Sequence, residues 1–233
     1  MLTEIIELPS KGNLYPKSHP LSSGVVEIKY MTAREEDILT TESYIEKGLV
    51  LQKLLDAVIV TEGVSSNDLL TGDKQMVLLQ TRILGYGSSY SFTQDGKSHT
   101  IDLSAIGTKG NPDLFNNSPL IQYELPKSGK TVILKILNGD ESRELSDDIE
   151  SVKSKGLPIG EVTTRLTRII QSLDGVTDKK VIKDFVHNEM LAVDSLGVRM
   201  FLDIVAPDID LTLTIDGEEV DIPIGVNFFY PTS

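Results

Sequence analysis

One stretch of this chain occurs twice, and that recurrence restricts the fold more than any composition figure. From Asp73 to Leu103 the residues run DKQMVLLQTRILGYGSSYSFTQDGKSHTIDL, and from Asp194 to Ile224 they run DSLGVRMFLDIVAPDIDLTLTIDGEEVDIPI. A single slide along the chain lays Asp73 on Asp194 and Asp95-Gly96 on Asp216-Gly217 without a gap. Val77/Val198, Ile83/Ile204, Thr93/Thr214 and Ile101/Ile222 coincide as well. Tyr90 and Phe92 fall on Leu211 and Leu213, and Leu103 on Ile224, so the apolar alternation stays in register. Asp-Gly between alternating runs marks a two-residue hairpin turn, because both turn positions favour positive φ. Each copy therefore predicts a helix, a break and a β-hairpin, and the pair predicts a duplicated unit. The duplication reaches upstream: Gly63-Val64-Ser65 and Gly175-Val176-Thr177 each follow an amphipathic helix, with a longer interval before the repeated Asp in the second copy.

The remaining segments complete an α+β expectation: duplicated helix plus β-hairpin units, additional amphipathic helices and a central hairpin. Residues 1–24 carry Pro9, Gly12, Pro16, Pro20 and Gly24 and predict an extended N-terminal arm, either a strap over the domain or a reach onto a partner. Residues 25–106 form the first half. It starts with a strand over Val25 to Tyr30. Thr32 and Glu35 then make a capping box for a helix running to about Lys47. Glu35, Glu36 and Asp37 suit the positive end of that helix. Leu51, Leu54, Leu55, Val58 and Ile59 share one face of the next helix. Residues 107–143 hold a polar hinge loop (Gly107 to Pro119) and the central hairpin, Leu120 to Leu125 with Thr131 to Leu137. Residues 144–233 form the second, helical half: an acidic helix ended by Gly156 and Pro158, helices over 161–173 and 178–190, the second unit and an aromatic tail, Phe228, Phe229, Tyr230 and Pro231. Pro9, Gly12, Tyr15 and Pro16 at one end, and the four tail residues at the other, are the candidate partner-binding residues. The competing expectation for the tail is packing on the chain's own second hairpin.

Charge narrows the function classes. A net charge of −13 argues against a nucleic-acid surface, whose affinity comes from Lys and Arg neutralising phosphates. Without cysteine there is no disulfide, thiolate metal site or thiol nucleophile. No basic n-region precedes an apolar stretch at the start, so no signal peptide is expected. No apolar run reaches the ~18 residues of a membrane span.

The sequence lacks the recognised patterns for catalysis and metal binding. Ser128-Gly129-Lys130-Thr131 resembles part of a phosphate loop, but Glu124 stands where the first Gly belongs and a strand follows. His19, His99 and His187 share no ligand spacing, and no Gly-x-Ser-x-Gly elbow is present. Glu218, Glu219 and Asp221 sit at a hairpin tip without a calcium-loop pattern. The expectation is no catalytic residue, no metal and no cofactor. A hydrolase using Asp140 and Glu141 is a minor alternative.

Several stretches, in order along most of the chain, resemble the baseplate hub assembly proteins of T-even-type contractile-tailed phages. They are Leu8-Pro-Ser-Lys-Gly12 with Tyr15-Pro16, Ile28-Lys-Tyr-Met-Thr-Ala-Arg-Glu-Glu-Asp-Ile-Leu39, Leu125-Pro with Gly129-Lys130, Leu137-Asn-Gly-Asp-Glu141, Met190-x-Ala-x-Asp-Ser195 and Phe-Phe-Tyr-Pro231. The resemblance implies a non-enzymatic protein of the virion tail baseplate, made in the host cytoplasm, with hub or wedge proteins as partners. It is either retained in the particle or a transient assembly chaperone. The resemblance carries over no catalytic or ligand residue.

Overall fold

The computed structural model describes residues 2–94, 96–156, 160–215 and 217–230. The expected turn residues Asp95 and Asp216, the helix-ending Pro158 and the tail residue Pro231 lie outside them.

The chain is α+β. Strand β1 (Thr3–Glu7) pairs antiparallel with β2 (Val25–Lys29). Helices α1 (Ala33–Thr40), α2 (Glu42–Glu46) and α3 (Val50–Val58) follow, so the single helix expected up to Lys47 is broken at Thr41. After α3, Ile59 bridges back to Ile28. Helix α4 (Thr71–Tyr86) then leads into the hairpin β3 (Ser89–Gln94) and β4 (Lys97–Asp102). A connection carrying β5 (Thr108–Lys109) reaches the second half. There β6 (Leu120–Glu124) pairs with β7 (Thr131–Lys135). Helices α5 (Gly139–Ser154) and α6 (Glu161–Ile169) precede β8 (Ile170–Leu173), which adds to β7 as a third strand. Helix α7 (Lys179–Asp184) runs into a π-helical turn, Phe185–Glu189. Helix α8 (Ala192–Val205), the short β9 (Asp208–Ile209) and the hairpin β10 (Thr212–Ile215) and β11 (Glu218–Asp221) complete the second unit.

Both copies of the repeated stretch thus fold as a helix followed by an antiparallel hairpin, and the correspondence extends back to the first strands. Leu8 N–H donates to the Gly24 carbonyl and Leu125 N–H to the Lys130 carbonyl, both at 2.9 Å, each closing a hairpin whose first strand runs out into Glu-Leu-Pro. Thr32 with Glu35 and Asn138 with Glu141 form capping boxes at α1 and α5. Lys29 pairs with Glu35, and Lys135 with Glu141, in the same relation to them. The Ile28–Ile59 bridge corresponds to the Leu134–Ile170 pair. The central hairpin is therefore the counterpart of β1 and β2, and the second half begins at Leu120 rather than at 144.

The cores do not divide at the same place. One apolar cluster lies within the second half and includes Val132, Leu134, Ile170, Ile182, Phe185 and Val198. The other joins the first half to the end of the second, with Val205, Ile209, Val220, Ile222, Phe228 and Phe229 packed among Leu54, Val77, Leu79 and Tyr90. Two glycines admit this crossing. A Cβ on Gly72 of α4 would lie 2.2 Å from the Pro207 carbonyl oxygen, and one on Gly110 would lie 2.3 Å from that of Ala206. The exit of α8 is thereby wedged between α4 and β5, where β9 pairs with β5.

Candidate interaction surfaces

The residues expected to bind partners are mostly inside. Residues 1–24 are not an extended arm: they hold β1, and a 3₁₀ turn at Pro20–Ser23 helps return the chain to β2. Pro9, Gly12 and Tyr15 are buried and only Pro16 is exposed. The holding group is Asp73, the third residue of α4, which is fully buried. It accepts hydrogen bonds from Ser10 N–H at 3.0 Å and from the Tyr15 hydroxyl at 2.6 Å. That hydroxyl also accepts from Leu70 N–H at 2.9 Å. Burial, followed by the adjacent Asp73 carboxylate, pushes the Tyr15 hydroxyl far above the usual phenol range. Burial also raises the Asp73 carboxyl. The second unit repeats the device: Asp194, third in α8 and fully buried, accepts from Lys127 N–H at 2.7 Å and Ser128 N–H at 3.2 Å.

The tail is likewise internal, but against the first unit as well as the second. Phe228 and Phe229 are both 0% exposed. Phe228 meets the Tyr90 ring edge-on at 4.9 Å, and its carbonyl accepts from Arg82 Nε at 3.0 Å. The other arms of that guanidinium donate to the Gly87 and Ser89 carbonyls. Tyr230 is partly exposed, and its hydroxyl donates to the Leu39 carbonyl at 3.0 Å. Pro9, Gly12, Tyr15, Phe228 and Phe229 therefore hold the fold together and present little to a partner.

The open apolar surface lies elsewhere. Val193, Leu196, Met200 and Ile204 follow one another at helical spacing along α8 and are exposed, Met200 by 57% and Ile204 by 68%. Their counterparts on α4 are Gly72, Gln75, Leu79 and Ile83. That face of α4 is covered: Leu79 is 1% exposed, and Gly72 touches the exit of α8. The same side of the same helix is thus buried in one copy and bare in the other, and the bare one is wholly aliphatic or thioether. The opposite side of α8 belongs to its own half, with Val198 buried and Phe201 stacked on Tyr123 at 4.4 Å.

Titratable groups are mostly spoken for. Glu141 serves the α5 capping box and Lys135, and Asp140 pairs with Arg143, so the two candidate hydrolase carboxylates act as helix-end partners. His19 accepts from Leu21 N–H through Nδ1 and stacks on Tyr15 at 5.4 Å, and His99 lies 5.4 Å from the Phe92 ring. Among the described residues no three His, Asp or Glu side chains are grouped to hold a metal. A cleft of about 410 Å³ between α5, α6 and α7 is lined by Arg168, Lys179, Lys183 and His187 opposite Asp148. Arg168 is paired with Glu144, and Lys179 donates to the Gln171 side chain.

Glu35 gives the fold a defined acid dependence. Burial opposes its ionisation, but donation from Lys29 (2.6 Å), the Thr32 hydroxyl (2.7 Å) and Thr32 N–H (2.9 Å) outweighs burial and holds the carboxyl at about 2. A carboxyl depressed on folding adds stability above its unfolded pKa, 4.5, and loses it as pH falls through about 2. The shift corresponds to about 3 kcal/mol. Asp73, raised on folding, acts in the opposite sense, adding stability below its unfolded value that fades as pH rises through its folded one. Urea unfolding of wild type and Glu35→Gln between pH 5 and pH 2 separates the two: the wild type is expected to lose its advantage over the variant across this window. A constant difference would show that Glu35 is not depressed.

No family model matches the chain, and neither the curated proteins nor the solved structures include a match.

Proposed function

We propose that this chain is a non-enzymatic protein of a contractile phage tail, a baseplate component or an assembly factor for it, that works by adhesion to other tail proteins of the hub or wedge. The observation that carries the adhesive part is the bare apolar face of α8. Four large apolar side chains at 3- and 4-residue spacing stand in solvent, although the equivalent face of α4 covers a piece of chain. Contiguous exposed apolar surface mostly marks an interaction site. The baseplate part rests on the ordered resemblance of the sequence motifs. A scaffold of duplicated units whose buried carboxylates hold backbone loops suits a positioning role. In the phage that encodes the chain, an amber mutation in its gene is expected to give filled heads but no complete baseplates, with rescue by the wild-type chain. Normal tails without the chain would overturn this reading. Mass spectrometry of purified tails then separates a retained component from a transient chaperone.

A further inference from the structure

We infer that the bare face of α8 is a dimer interface, covered by α8 of a second copy packed antiparallel about a two-fold axis. This rests on the adhesive reading of that face and makes a second copy its occupant, so that hub or wedge proteins would meet other surfaces of the dimer.

The stripe and its border are self-complementary. A two-fold contact sets a surface against itself, so every feature must match its own image. Apolar residues do so without further condition, and Val193, Leu196, Met200 and Ile204 extend along nearly the whole of α8. Among the described residues the other exposed large apolar side chains lie singly or in twos, such as Leu2 with Ile5 at β1, Leu114, Val162, and Leu191 just before α8. None forms a run that could meet this one head-to-tail. The stripe is the best counterpart the chain offers to itself.

The flanking charges match by the same symmetry. Arg199 and Asp203 are exposed, one turn apart, on the side of the stripe next to Leu196. Arg199 Nε donates to the Ser195 carbonyl at 3.3 Å, and neither residue forms an ion pair among the described residues. In an antiparallel pair the same flank of each helix faces the other. An axis beside Met200 sets Ile204 against Leu196 of the second copy and brings Arg199 within reach of Asp203 of the second copy, twice over. Neither a parallel arrangement nor an unrelated apolar helix uses both charges in this way. The opposite flank is already packed on its own half: a Cβ on Gly197 would lie 2.9 Å from the Tyr123 hydroxyl.

The stripe is short of the ~800 Å² that each partner buries in a standard interface, so association in the micromolar range is expected. Sedimentation of the full chain over a concentration series should show a monomer–dimer equilibrium. Met200→Glu should leave it monomeric with an unchanged melting temperature, because Met200 faces solvent in the monomer. Arg199→Asp should weaken the dimer about tenfold, since it sets like charges together. The double exchange Arg199→Asp with Asp203→Arg should restore it, an outcome only a self-matching contact predicts. The chain has no cysteine, so Met200→Cys under mild oxidation should link to itself near the axis. A wild-type chain that stays monomeric up to its solubility limit overturns the inference. So does a dimer indifferent to Met200→Glu, a failed charge-exchange rescue, or a dimer in which Met200→Cys does not link. A monomer that tail assembly still requires would remove the second copy as occupant and leave the adhesive reading in place.

Discussion

Replacing both Phe228 and Phe229 with alanine is expected to unfold the chain at physiological temperature, and each single replacement to lower its melting temperature by about 10 °C. Both rings are fully buried. Removing such a side chain costs about 3–5 kcal/mol from lost burial and the cavity left behind. Two such losses approach the ~5–15 kcal/mol that a whole domain has available. Phe228 has a second role, because its carbonyl accepts from Arg82 at 3.0 Å. The guanidinium that donates there also donates to the Gly87 and Ser89 carbonyls at the entrance to β3. Loosening the tail therefore disturbs the start of the first hairpin, although the tail follows the second. Deleting residues 226–233 should match the double replacement, with lost thermal cooperativity and rapid proteolysis. A cooperative transition at the wild-type temperature in either variant would mean that these rings do not support the core.

Much of the duplication can be read from the sequence, and where it fades there is a physical reason. The two hairpins are visible because Asp-Gly and strict alternation are local signals. Upstream, the offset that joins Asp73 to Asp194 no longer joins Gly63 to Gly175, Glu35 to Glu141 or Leu8 to Leu125. Insertions in loops and between helices leave the packing intact but defeat any single slide. Glu7-Leu-Pro and Glu124-Leu-Pro, followed by Gly12 and Gly129 at the same interval, stand in plain view. They part company in the sequence because the whole span from Asn13 to Gly24 separates Gly12 from β2, whereas Lys130 alone separates Gly129 from β7. Prolines near the start suggest an arm, since each removes a backbone donor. What folds them inward is the distant Asp73 carboxylate, and long-range pairing of that kind has no local signature. The surface of α8 did leave a trace. With Val198, Phe201, Leu202 and Val205 on one side and Val193, Leu196, Met200 and Ile204 on the other, the helix holds more apolar residues than one buried stripe needs. Which side stays bare depends on where the chain goes after the helix.

The buried aspartates allow the strongest test of whether the two halves use the same device. Asp73→Ala leaves Ser10 N–H and the Tyr15 hydroxyl without their acceptor in a dry interior. Each unsatisfied buried donor costs about 1–3 kcal/mol, so about 4 kcal/mol is expected for the pair. Tyr15→Phe should cost less, because Asp73 stays to accept from Ser10 N–H, although Leu70 N–H loses its acceptor and Asp73 loses one of its two donors. In a double-mutant cycle, Asp73 and Tyr15 should be coupled by about 1–3 kcal/mol. Asp194→Ala strands Lys127 and Ser128 N–H groups that are only partly buried. Water can reach them, so the cost should be about 2 kcal/mol. The two aspartates share no hydrogen-bond partner, and the double variant should lose the sum of the single costs to within ~0.5 kcal/mol. Urea denaturation at pH 7 measures all five variants. Equal, negligible losses at both positions would mean that the loops hold themselves and the shared aspartate is incidental. A loss at Asp73 well below that at Asp194 would mean that water enters the first site, against its complete burial.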